Sequence, residues 1–210
     1  MRASMIAALA ALVVVATATA GEACSRSIPA KAERMVVPSE RIDQDLLDAA
    51  VRAEVNFHRC RAGLPALSEA GRGLAQMVKT HSTWMASTQT LSHRNTIPGK
   101  SSLSQRVKAS GERFRTGAEN IGMVHRYQLD NLRFQIIDQR SCEFATLDGR
   151  PVPPHSYATL ARHAVGLWMN SPGHRKNNLN REVNRISTGV AFDPKAPYCG
   201  QFWLTQNFLG

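Results

Sequence analysis

A chain of 210 residues, with 26 Lys and Arg against 16 Asp and Glu, carries a formal charge of +10 at pH 7. That length suits one domain with a sizeable core and excludes a disulfide-stapled miniature. The basic excess is scattered over Arg59 and Arg61, Arg113 and Arg115, and Arg175 and Lys176; with no basic stripe interleaved with aromatics, it argues against nucleic acid and for solubility charge or an anionic envelope, glycan or headgroup surface.

Arg2, the short apolar run Met5 to Val15 and the small residues Ala18-Thr19-Ala20 have the form of a signal peptide cut after Ala20. Such a chain is exported, secreted or periplasmic, with charge +9, and no second apolar run is long enough to span a membrane. Four cysteines in an oxidising compartment favour two disulfides, with three possible pairings. We expect Cys24–Cys60 and Cys142–Cys199, each tying a loose segment to a regular one.

Residues 21–42 lack periodicity and read as an extended N-terminal arm ahead of a domain at 43–210. Asp43 caps a first helix whose Leu47, Ala50, Val51, Val55 and His58 recur on one face, and Gly63-Leu64-Pro65 ends it. Ser68, with Glu69 nearby, is expected to cap a second helix carrying Leu74, Met77, Val78, His81 and Met85. His81 reads as a satisfied core histidine. Residues 88–101 form a loop bearing Ser92 and His93, followed by a short helix over 102–110 and a strand-like run Glu119 to Val124. Arg133 to Ile137 and Cys142 to Thr146 suggest two strands around a turn at Asp148-Gly149. Their aromatics Tyr127, Phe134 and Phe144 suit either a pocket lining or hairpin packing.

A third long helix begins near Ser156 and carries Leu160, Ala164, Leu167 and Trp168. It breaks at Asn170-Ser171-Pro172-Gly173, so that the loop, rather than a helix face, would aim His174. Two strands close the chain, Thr188 to Phe192 and Gln201 to Leu209, joined through Asp193 to Gly200. Helices come mostly first and strands last, without βαβ alternation, which gives an α+β class. His93, Glu119 and His174 all lie at such breaks, and we expect them to meet in one cleft with Asn170 and Ser171.

In this order, Val55-Asn56-x-x-Arg59, Ser92-His93, Gln105-Arg106-Val107, Gly117-Ala118-Glu119-Asn120-Ile121, Trp168 to Arg175, Gly189-Val190-Ala191 and Trp203-x-Thr205-Gln206 resemble the CAP superfamily. These are the cysteine-rich secretory, antigen 5 and pathogenesis-related 1 proteins, or SCP domains, and the compact bacterial branch is the most similar. The resemblance spans about 46–209 and implies a three-layer α–β–α sandwich with a central antiparallel sheet. It also implies a cleft whose two histidines match His93 and His174 and whose glutamate matches Glu119. A second family glutamate has no counterpart after Trp168, and the extra segment at about 126–155 exceeds the pattern.

Two imidazoles suit a zinc ion, which gives His93 and His174 as metal ligands with Glu119 and water as further donors. A hydrogen-bond network pinning loops is the structural alternative. A hydrolase would use Glu119 or His174 as general base on metal-bound water, or Ser171 or Ser92 as nucleophile, although neither serine sits in a Gly-x-Ser-x-Gly elbow. The reading the resemblance favours is a non-enzymatic module that binds a lipid, a sterol-like ligand, an envelope component or a protein partner.

Overall fold

The computed structural model describes residues 24–38 and 41–210, so the expected signal peptide and its cleavage point lie outside the described residues. Helix α1 (Gln44–Arg61) starts where Asp43 Oδ1 accepts the N–H of Leu46 at 3.0 Å, and stops at Ala62, before Gly63 turns at φ 66°. Ser68 and Glu69 do not cap the next helix. They form β1 (Ser68–Glu69), whose backbone pairs with the last strand pair, and α2 (Arg72–Thr88) begins after Gly71. Helix α3 (Leu103–Ala109) opens on a capping box between Ser102 and Gln105. Strand β2 (Gly117–His125), the pair β3 (Phe134–Asp138) and β4 (Glu143–Thr146), and α4 (Tyr157–Asn170) follow. Pro172 then stands at the start of a further helix, α5 (Pro172–Asn178), before β5 (Arg185–Asp193) and β6 (Gln201–Leu209).

The main sheet has the order β1-β5-β6-β2. β5, β6 and β2 are antiparallel, whereas the two-residue β1 runs parallel to β5, so the sheet is antiparallel except at that edge. The pleat divides each strand between two layers. Phe202, Leu204 and Phe208 of β6, with Val124 of β2, face Leu47, Val51, Leu160 and Trp168 of α1 and α4. On the other face Ile121 and Trp203 meet Met85 and Ala86 of α2. The arrangement is a three-layer α–β–α sandwich. Gly189 lets α2 lie directly on β5, since a Cβ there would stand 2.4 Å from the Lys79 amide nitrogen.

Both expected disulfides are formed, Cys24–Cys60 and Cys142–Cys199. The N-terminal arm is less extended than expected. Ala30–Glu33 makes a 3-10 turn, and Ala32 and Val36 are buried in the main core. Residues 126–155 carry a small core of their own, in which Phe144, Leu129 and Val152 are buried against Tyr127, Phe134 and Tyr198. Phe134 and Phe144 meet edge to face at 6.0 Å, and Tyr127 and Phe144 at 5.0 Å. These aromatics pack the excursion together. The Cys142–Cys199 bridge fastens that core to the β5–β6 hairpin.

Candidate functional site

Strand β2 is an edge of the main sheet, and the site is built around that edge. Successive residues of a strand point to opposite faces, so Glu119 is directed toward α3 and Asn120 toward α5. Glu119 is buried, and its carboxylate accepts from Arg106 Nη2 through both oxygens, at 2.8 and 2.6 Å. Arg106, 1 % exposed, also donates to the carbonyls of His93, Lys100 and Ser101. One guanidinium thus holds the carboxylate and the loop between α2 and α3.

His93 lies on that loop, with its side chain 56 % exposed and Nδ1 2.9 Å from Glu119 Oε1. A carboxylate accepts, so Nδ1 carries the hydrogen and a neutral ring keeps its lone pair on Nε2. Beneath it, His81 is fully buried. Its Nδ1 is 3.0 Å from Asn95 Nδ2 and its Nε2 2.9 Å from the Ser92 carbonyl. The amide donates and the carbonyl accepts, which fixes the neutral tautomer with hydrogen on Nε2. Burial, aided by the Arg106 charge, pushes His81 down to about 4. His81 is a satisfied core histidine, and it also anchors the residue next to His93.

His174 approaches from the other side of the edge, on the first turn of α5. A helix presents it, not the loop that the Pro-Gly pair suggested, because Pro172 at a first helical position starts a helix well and Gly173 has no left-handed φ. Helix α5 is fixed to β2 by three hydrogen bonds. Asn120 Nδ2 donates to the His174 carbonyl at 3.3 Å, and Asn177 Nδ2 donates to the Glu119 carbonyl at 3.1 Å and to Asn120 Oδ1 at 2.8 Å. Burial, then the proximity of His93, pulls His174 below the usual imidazole range. The two rings are therefore electrostatic neighbours, and His174 favours the neutral form.

The structure distributes the other candidates differently. Ser92 Oγ accepts from the Arg94 N–H at 3.0 Å, and Ser171 is the residue between α4 and α5. Among the described residues neither hydroxyl is hydrogen-bonded to His93, Glu119 or His174. Asn170 lines a separate recess with Asp130, His155 and His163. Sequence reasoning missed Arg106, Asn120 and Asn177 as parts of the site. The signal available for two of them was their place in the family-like runs, Arg106 in Gln105-Arg106-Val107 and Asn120 in Gly117 to Ile121. Among the described residues no three His, Cys, Asp or Glu side chains are preassembled to hold a metal ion. The donor chemistry of the His93 and His174 pair still suits one: Glu119 orients His93 in the way a ligating imidazole is commonly oriented, leaving Nε2 available.

The model of the cysteine-rich secretory protein family, CAP, matches residues 52–208. An extracellular protein containing an SCP domain from Bacillus anthracis has a similar structure, with a TM-score of 0.52 and 21% identity over 81% of this chain. The chain spans 44% of that protein's length. An outer surface protein from Borrelia burgdorferi gives a TM-score of 0.51 at 15% identity, over 81% of this chain and 97% of its own. At these identities the likeness is one of fold. A search of curated proteins finds no match.

Proposed function

The chain belongs to the cysteine-rich secretory protein (CAP) family, and on that premise we propose that it is an exported, non-enzymatic module binding the polar head of a lipid or envelope component at the His93–Glu119–His174 site. The observation that carries this reading is the state of Glu119. Both carboxylate oxygens accept from Arg106 and Oε1 also from His93, and the side chain is only 2 % exposed, so Glu119 is placed to hold these groups and not to meet a substrate as general base. The Glu119 charge is matched by Arg106, so the site does not repel a negatively charged head, and the basic excess of the chain, +10 at pH 7, favours one over a cationic head. Export is consistent with the disulfides, which persist in oxidising compartments, and with the leader-like N-terminus. No helix of the described residues is long and apolar enough to cross a membrane.

One observation favours the metal-dependent hydrolase as a second reading. His93, with Nδ1 committed to Glu119, and His174, held toward its neutral form, have the character of two zinc ligands. A bound zinc would supply Lewis acidity and a more acidic water. The protein's part would be to hold the rings, with Arg106 and Glu119 fixing His93.

Titration with a fluorescent long-chain fatty acid and with its neutral alcohol analogue tests the proposal. The expected result is saturable binding of the acid, weaker binding of the alcohol, and about tenfold loss, roughly 1.4 kcal/mol, in His174→Ala. Equal binding of acid and alcohol, unaffected by His93→Ala/His174→Ala, would remove the cleft from the account. Labelling of Ser171 or Ser92 by a fluorophosphonate probe would instead favour a serine hydrolase.

A further inference from the structure

Away from that cleft, a recess of about 540 Å³ opens at the outer edge of β5, where α1, α2 and the end of β2 come together. Three cations line it, and each arrives on a different element. Arg41 stands just before the cap of α1, Lys79 lies on α2, and Arg126 follows the last residue of β2. No Asp or Glu of the described residues lines the recess. Half-buried Arg52 and Arg185 each meet a carboxylate, at Asp48 and Glu112. Lys79 and Arg126 are half-buried as well, yet they form no ion pair among the described residues. The Arg126 guanidinium lies 5.4 Å from the Tyr127 ring centroid, and its Nε is buried with no partner.

The walls are held by contacts that leave these charges unspent. Gln44 pairs both ways with the Val190 backbone, at 3.0 Å for each bond, and so fixes the start of α1 on β5. Gly189 brings the Lys79 backbone directly onto the same strand. Arg126 donates its backbone N–H to the Gly200 carbonyl and its own carbonyl accepts from the His155 N–H, both at 2.9 Å. Like charges gathered at one recess repel, and partial burial removes water that would screen them. We propose that the recess binds the phosphate of an organic phosphomonoester, with Arg41, Lys79 and Arg126 around the phosphate and the carrier against the apolar wall.

Charge and shape select that class. A phosphomonoester carries about −1.5 to −2 at pH 7, which three cations match better than they match a single carboxylate. Guanidinium groups meet phosphate through paired N–H donors, and a lysine adds a point charge. The volume falls within the roughly 300–1,000 Å³ of small-molecule sites and is more than a bare phosphate fills. Ile42, Val190, Phe192 and Pro194 supply the apolar side, so a carrier with an apolar portion binds better than inorganic phosphate. A lipid headgroup and a soluble ester both present this chemistry. His93, Glu119 and His174 take no part in the recess, so it does not rest on the reading of the cleft.

Calorimetry on the disulfide-intact chain in a His93→Ala/His174→Ala background keeps the cleft from contributing. The probes are dihexanoyl phosphatidic acid, glycerol 3-phosphate, inorganic phosphate and uncharged dihexanoylglycerol. The expected result is saturable, equimolar binding of the phosphatidic acid, about tenfold tighter than glycerol 3-phosphate, with no saturation by inorganic phosphate or the uncharged lipid. Equal affinities for the two esters would uphold the phosphate site and name soluble esters as its source. Arg41→Gln/Lys79→Gln, folded by near-ultraviolet circular dichroism, should weaken binding about tenfold or more, as should Arg126→Gln. The charge-matched Arg113→Gln/Arg115→Gln, outside the recess, should not. Glu40 lies outside the described residues, and Glu40→Gln should leave the affinity unchanged. The proposal is overturned by no uptake of either ester, by inorganic phosphate binding as tightly as the esters, or by an equal loss in Arg113→Gln/Arg115→Gln. Tighter binding in Glu40→Gln would also overturn it, by making that carboxylate the occupant of the recess.

Discussion

Arg106→Met should destabilise the protein by about 3–5 kcal/mol, the usual cost of removing one partner from a buried ion pair. Arg106 and Glu119 are both buried, and without the guanidinium the Glu119 carboxylate keeps only the half-exposed His93 ring as a partner. The carbonyls of His93, Lys100 and Ser101 lose their donor in the same step, so the loop that carries His93 is released. Removing both charges gives the opposite sign relative to the single variant. Arg106→Met/Glu119→Leu should recover most of the lost stability, because no uncompensated charge is left in the interior, while ligand binding stays lost. Urea midpoints of the wild type and the two variants measure this. A loss below about 1 kcal/mol in Arg106→Met, or a double variant no more stable than the single, would contradict the pivotal role given to the pair.

Acidification from pH 6.5 to about 4 should lower stability by about 3 kcal/mol net. His81 and His155 are both pushed down to about 4 by burial, from an unfolded value of 6.5. A histidine with a depressed folded value contributes stability that is complete above pH 6.5. That contribution drains as the unfolded chain takes up protons the folded chain refuses. The fall from 6.5 to about 4 corresponds to about 3 kcal/mol for each histidine. Asp48 acts in the opposite direction over much of the same window. Burial raises it to about 6 against the opposing charge of Arg52, so the folded state gains as that carboxyl is protonated and offsets about one histidine's share. Urea unfolding at pH 7, 5.5 and 4 reads the slope, and His81→Gln should flatten it. Stability that is level or rising toward pH 4 would contradict the buried-neutral assignment.

The parts of this molecule legible in the sequence are those written in local chemistry. Asp43 as a cap, the Leu47 to Val55 stripe, the period-two faces of β6 and the break before Pro172 each reflect forces acting within a few residues. Ser68-Glu69 reads as a helix cap in the sequence, because a two-residue strand is set by its partner Arg185-Ile186 and nothing in the dipeptide shows that partner. The sequence places His174 on a loop because Pro-Gly signals a break equally well as an end or as a beginning. The candidate site was half legible. His93, Glu119 and His174 are visible as polar residues at element ends. The groups that give them their character, Arg106, Asn120 and Asn177, reach them across 13 residues or more and exist only in the fold. The cationic recess was invisible for the same reason, since Arg41, Lys79 and Arg126 come from separate elements and line one recess only in the fold.

The central claim is that the His93–Glu119–His174 cleft captures a ligand, with Glu119 held as a fixed ionic partner. Native mass spectrometry of the disulfide-intact protein, isolated without denaturation, tests it most directly. The account predicts a non-covalent small-molecule adduct on the wild type, absent from a folded His93→Ala/His174→Ala variant. A wild type that flies at its bare mass, or an adduct that persists in the folded variant, would contradict it.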